Sequence, residues 1–145
     1  LALTSPMACA LVLVITHIVL RQRRRLSQDR GYARRYYAKT ASLTALEEAA
    51  ETEDPAETLY RAVATFVGDM LNINGAGLTS SEVETLLRER NVSEELLSAV
   101  SRTMKACERA RYAGRSSTQE EIEALCSAAK NIVERLYERL KEQNR

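Results

Sequence analysis

The sequence predicts an all-α protein: one transmembrane helix, then a basic helical stalk, then a small cytoplasmic four-helix bundle. Three observations lead there. Residues 1–20, LALTSPMACALVLVITHIVL, contain no Asp, Glu, Lys or Arg. From Asp54 onward apolar residues recur at spacings of three and four, the pattern of a helix with one buried face. With no Trp, one Phe, five Gly and two Pro, the chain lacks the aromatics and turn residues from which a β-sandwich is built.

As a helix, residues 1–20 would extend about 30 Å at 1.5 Å per residue, the thickness of a bilayer's hydrocarbon core. The basic residues follow the apolar run, whereas in a secretory signal peptide they precede it. Leu11 to Leu20 is apolar on nearly every face, unlike the amphipathic segments that make up the rest of the chain. Pro6 lies near the start of the run, where helical backbone donors are unpaired anyway. His17 falls one turn before Arg21; with no carboxylate on the span to pair with, an interfacial structural role is favoured over a proton relay. The chain opens on Leu1 rather than Met, as expected of a fragment or a processed product.

Arg21, Arg23, Arg24 and Arg25 set the orientation, because Lys and Arg just beyond a span are retained on the cytoplasmic side. Residues after 20 are therefore expected to be cytoplasmic in a single-pass protein. Of the 21 Lys and Arg, eight lie between Arg21 and Lys39 against one acid, Asp29; from Thr40 onward the remaining 13 face 19 Asp and Glu, a balance of −6. The collar contributes on the order of 1 kcal/mol per Lys or Arg at an anionic leaflet, which makes membrane lipid an expected partner. Gly31 to about Ala50 has helix-forming composition but a weak apolar stripe, and is expected to continue or restart the membrane helix as a stalk over residues 21–53. Tyr32, Tyr36 and Tyr37 interleave with Arg34 and Arg35. Such a set can stack on bases, but beneath a span the headgroup interface is the better reading.

The bundle is expected over residues 54–145, enough for one modest core. Asp54-Pro55 is a helix start, with Asp as N-cap and Pro at the first helical position. Leu59, Ala62, Val63, Phe66, Val67, Met70 and Leu71 then mark a core face. A Gly-containing turn comes next, and Thr79 with Glu82 makes a capping box. Val83, Leu86 and Leu87 stripe a short helix that ends near Asn91. Ser93 caps the next, which buries Leu96, Leu97, Val100, Met104 and Cys107 and stops at Gly114. Ser117 with Glu120 repeats the capping box before the longest stripe, running from Ile122 through Ala129, Ile132 and Leu136 to Leu140. Four helices with short connections imply a compact, mostly antiparallel bundle.

Catalytic and ligand motifs fail on inspection. With Gly75 at the sixth position of a calcium loop, Met70 and Ser81 would occupy the places that need Asp and Glu. Gly75-Ala76-Gly77 is not followed by the Lys-Ser/Thr of a phosphate loop. No GxSxG occurs, and His17 is the single His of the chain, so the bundle lacks the commonest general base and neutral metal ligand. Cys9, Cys107 and Cys126 form no CxxC pair; the latter two are expected to be reduced helix-core residues. Paired carboxylates such as Glu120 and Glu123, or Glu134 and Glu138, are read as solvation and local ion pairing with Lys130, Arg135, Arg139 and Lys141. Arg102, Lys105 and Arg109 share a face, as on a DNA-recognition helix, but the acidic balance of the domain opposes a phosphate-driven surface. No catalytic residue, cofactor, metal site, nucleic acid or small-molecule substrate is expected.

The span followed by RQRRR, the YARR just after it, LTSSE at 78–82 and ERARYAG at 108–114 resemble the C-terminal region of the BatD family, aerotolerance-type bacterial membrane proteins. The resemblance covers essentially the whole chain, and neither LTSSE nor ERARYAG is a catalytic motif. It implies a bacterial inner-membrane protein whose large β-sandwich domains precede this region on the periplasmic side. It also implies a scaffold or assembly role with MoxR-type AAA+ ATPases and von Willebrand factor A domain membrane proteins, in envelope stress or complex maturation. A similar LT…E and RY arrangement occurs in the cytoplasmic tails of some transglutaminase-like membrane proteins, and such a tail is an alternative.

From the residues alone, two function classes stand. One is a membrane-anchored, non-catalytic protein-interaction domain. The other is a basic collar that binds anionic lipid or nucleic acid, with the bundle as spacer. Arg111 and Tyr112 are the candidate partner surface, because Arg and Tyr are enriched among interface hot spots. Against that, Arg111 can serve the carbonyls at a helix C-terminus and Tyr112 can pack across the following loop. Tyr112 follows the apolar register into the turn, whereas the guanidinium of Arg111 can reach solvent.

Overall fold

A computed structural model of the chain describes residues 4–113 and 117–143, with the side chains of 4–9 and 25–28 outside that description. Among the described residues all regular structure is helical: α1 (Thr4–Gln28), α2 (Arg30–Glu48), a 3₁₀ turn (Ala49–Glu51), α3 (Pro55–Leu71), α4 (Ser80–Glu89), α5 (Glu94–Ala113) and α6 (Gln119–Gln143). The chain divides into two compact units, Leu1–Arg34 and Arg35–Arg145.

In the first unit, α1 runs unbroken for 25 residues, so Pro6 falls in its first turn, where no carbonyl waits for its missing N–H. Among the described residues no helix is long and apolar enough to cross a membrane. The chain restarts as α2 rather than continuing α1. Asp29 interrupts the helix, and its carboxylate accepts the Tyr32 N–H at 3.0 Å, an N-cap that closes the first turn of α2.

The second unit has one core. α3 packs on α5 and α6, which also pack on each other, while α4 leans mainly on α5. The apolar faces read from the sequence are buried: Leu59, Val63, Phe66 and Val67 of α3, Val83 and Leu87 of α4, Leu97, Val100 and Met104 of α5, and Ala129, Val133, Leu136 and Leu140 of α6. Leu71, Leu86, Leu125 and Cys126 sit at the edges, half-buried.

Several local expectations hold. The Asp54 carboxylate accepts the Glu57 N–H at 3.0 Å with Pro55 in the first turn. Thr79 and Glu82 form the full capping box. Ser93 Oγ accepts the Leu96 N–H. The stop at Gly114 lies outside the described residues.

Three expectations need correction. The second unit begins at Arg35 rather than 54, and its core takes in Ala38, Ser42, Leu46 and Ala49, buried from the segment read as stalk. Ser42 Oγ donates to the Ala62 carbonyl of α3 at 3.4 Å, and Cys126 Sγ of α6 donates to the Leu46 carbonyl at 3.2 Å. The α6 cap shifts by one residue: the Thr118 N–H donates to Glu121, whose own N–H donates back to Thr118 Oγ1. Ser117, also three residues before a Glu, instead directs its hydroxyl to the Ala110 carbonyl. The cations of α6 pair between helices rather than along their own: Lys130 with Glu47 of α2, and Arg135 with Glu95 of α5. Arg139 donates to the Asn91 carbonyl just past α4.

The turn after α3 shows why Gly75 is where it is. Asn72 takes the left-handed conformation (φ 57°) and the Ile73 N–H returns to the Gly68 carbonyl at 2.9 Å, a Schellman-type end. The chain then lies directly on α3. A Cβ at Gly75 would fall on the Ala64 carbonyl and within 2.8 Å of the Thr65 Cα, and one at Gly68 would be 2.5 Å from the Gly75 Cα. Paired glycines allow this close approach.

Candidate functional site

Two surfaces hold the residues singled out from the sequence. In the first unit every residue from Ala10 to Leu20 is exposed. Leu11, Val12, Leu13, Val14 and Ile15, which follow one another around the helix, are each 55 to 69% exposed. The polar Thr16 hydroxyl in this stretch donates to the Val12 carbonyl at 2.7 Å, so it is satisfied within the helix. Arg21, Arg23, Arg24 and Arg34 are exposed and Arg35 is half-buried; the side chain of Arg25 lies outside the described residues. His17, Ile18, Arg21 and Gln22 line a shallow cleft with Tyr32.

In the second unit, Arg111 and Tyr112 part company. Arg111 of α5 forms an ion pair with Glu57 of α3, each side chain one-third exposed. The guanidinium lies 5.8 Å from the centroid of the Tyr60 ring and 5.1 Å from that of Tyr112. Its pKa is raised, by the bond to Glu57 first and then by Tyr112. Tyr60 donates its hydroxyl to the Leu78 carbonyl at 3.0 Å, tying α3 to the segment before α4. Burial, then the Glu108 carboxylate, raise the Tyr60 pKa. Arg111 is thus a tie between helices, whereas Tyr112 is 82% exposed. The sequence had offered both as a contact surface and left packing open for each, leaning towards packing for Tyr112 and towards contact for Arg111. One residue further along a helix turns a side chain by about 100°, which carries Tyr112 off the core face instead of into the turn.

Glu57 and Tyr60 were not read as partners of Arg111. They sit one turn apart on α3, beside its apolar stripe, and nothing local signals which distant helix they meet.

Cys107 is buried, and burial followed by the Glu108 carboxylate pushes its thiol up to about 12. A thiol held protonated is a poor nucleophile. Among the described residues no three His, Cys, Asp or Glu side chains are grouped to hold a metal ion. Arg102, Lys105 and Arg109 are exposed along α5.

Against known protein families, curated proteins and solved structures, the chain matches none.

Proposed function

We propose that the chain is a membrane-anchored, non-catalytic interaction domain, with residues 1–20 as the anchor and the helical unit from Arg35 onward as the part that makes contacts. The observation that carries this is the outward-facing apolar run from Leu11 to Leu20. Water disfavours such a surface by roughly 25 cal/mol per Å² of apolar area, and lipid does not. The described part of α1 is not by itself long and apolar enough to cross a bilayer; the proposed span also draws on Leu1, Ala2 and Leu3 and on the side chains before Ala10. The arginines from Arg21 to Arg25 favour a cytoplasmic side for the rest of the chain. The resemblance of LTSSE and ERARYAG to BatD-type sequences extends the proposal to assembly with a MoxR-type ATPase and von Willebrand factor A domain proteins at a bacterial inner membrane. Within that reading Tyr112, exposed at the end of α5, is the contact residue and Arg111 holds its helix in place.

The anchor and its orientation are tested by labelling. Cys9 and Cys126 are replaced by Ser and a reporter introduced as Ser81→Cys, an exposed position. A membrane-impermeant maleimide is expected to leave intact cells unlabelled and to label the membrane fraction once cells are opened. Labelling of intact cells would reverse the orientation, and recovery of the chain in the soluble fraction would remove the anchor.

A further inference from the structure

α5 and α6 do not close against each other along their whole length. They leave a groove of about 530 Å³, floored by Ala106 and Ala110 of α5 and by Ala124, Leu125 and Ala128 of α6. Alanines on both walls let another backbone approach closely. The groove runs from Arg102 to Ala113 on α5, about 16 Å at 1.5 Å per residue, or three turns of a partner helix.

Two further features say what fits there. The first is charge. Arg102 and Arg109 line the groove seven residues apart, about 10 Å along the axis, and among the described residues neither makes an ion pair. The lining carboxylate, Glu121, is committed to the Thr118 N–H of its own helix cap. Two guanidiniums against this one carboxylate leave the lining with a net charge of +1. The groove between α2 and α3 is different, since Arg61 and Asp69 both line it. The second feature is Thr103. It lines the same groove and is only 8% exposed, yet its hydroxyl has no hydrogen-bond partner among the described residues. Among the described residues no fully buried side-chain N or O atom lacks a partner, so this hydroxyl is not fully enclosed, and Thr103 is one of the residues that line the groove. A half-sequestered hydroxyl without a partner is poised to bond an incoming group.

We infer that this groove receives an acidic amphipathic helix from a protein partner: a small apolar face against the alanines, two carboxylates seven residues apart on Arg102 and Arg109, and a polar atom for Thr103. Helix-in-groove docking of this kind is read from apolar anchors at helical spacing, with the flanking charges setting register and selectivity. The inference deepens the contact reading but does not depend on the anchor, so failure of the labelling experiment leaves it standing.

The test is a selection. A displayed library of helical peptides, with an Ala/Leu face fixed and the flanking positions randomised, is panned against the detergent-solubilised full chain. The expected pool is enriched in Asp and Glu at positions seven apart. Arg102→Glu with Arg109→Glu should weaken its binding roughly tenfold or more and shift preference to Lys-bearing peptides. Ala106→Trp, which fills the floor, should abolish binding. Both variants are first checked for an unchanged thermal melt; should Ala106→Trp melt early, Ala128→Leu fills the opposite wall. Recovery of no binder, a pool no more acidic than the library, or binding that survives a filled groove would each overturn the inference. So would charge-dependent binding of a single-stranded oligonucleotide that ignores the filled floor, which would make the arginines a phosphate surface.

Discussion

α1 and α6 are both 25 residues long, and they dispose of their apolar residues in opposite ways. In α6 the apolar positions Ile122, Ala129, Ile132, Val133, Leu136 and Leu140 form one stripe, and all are buried. Glu134, Glu138 and Glu142 take the other side. In α1 the apolar residues from Leu11 to Leu20, broken only by Thr16 and His17, lie on nearly every face, and all are exposed. A stripe can be covered by neighbouring helices, since they need to approach from one side only. A helix that is apolar all round must be surrounded, and lipid surrounds a helix without having to be folded. The same chain thus holds one helix stabilised by its tertiary neighbours and one whose apolar stretch is left exposed, the feature on which the proposed anchor rests.

The comparison breaks most sharply at Phe66, the largest fully buried side chain of the second unit. Phe66→Ala should destabilise that unit by about 3 to 5 kcal/mol while leaving membrane association of the chain unchanged, measured by denaturant melts beside flotation on liposomes. Joint loss of both would show that the two regions do not behave independently. The converse change is Val14→Arg in α1. A central Arg costs about 2.5 to 3.5 kcal/mol in a membrane-inserted helix, so flotation should fall steeply with the melt of the second unit untouched. Unaltered flotation would mean that α1 is not in lipid.

Gly75→Ala sharpens the picture of the second unit. Its Cβ would have to displace the Ala64 carbonyl, and overpacking of this kind costs about 1 to 3 kcal/mol. A wild-type Tm would show that the turn simply moves away from α3. The smallest effects separate Arg111 from Tyr112. Arg111→Ala removes the tie to Glu57 and should lower Tm by less than Gly75→Ala does, whereas Tyr112→Ala should stay within about 0.5 kcal/mol of wild type, as exposed positions usually do. A larger loss for Tyr112→Ala than for Arg111→Ala would restore the packing role that its apolar register suggested.

The stripe residues, the Asp54 cap and the Thr79–Glu82 box were all readable in the sequence because each depends on residues within four positions of one another, where helix geometry alone decides who meets whom. The first three turns of the core were not. Ala38, Ser42, Leu46 and Ala49 share a face, but Ala and Ser add so little hydrophobicity that the stripe is faint, and only the closeness of α3 and α6 makes small residues the right ones. The cap of α6 was read one residue early, at Ser117, because Ser117 and Thr118 each precede a Glu by three. Glu57 and Arg111 lie 54 positions apart, and no local rule pairs them. By itself the sequence determined that Leu11 to Leu20 of α1 would be apolar on nearly every face and which faces of α3 to α6 would turn inward, because periodicity is a property of one helix. Which helices those faces met, how closely the Gly75 turn lay on α3, and which of Arg111 and Tyr112 stayed exposed were decided only when helices distant in sequence came together, because those contacts depend on the relative placement of several helices at once.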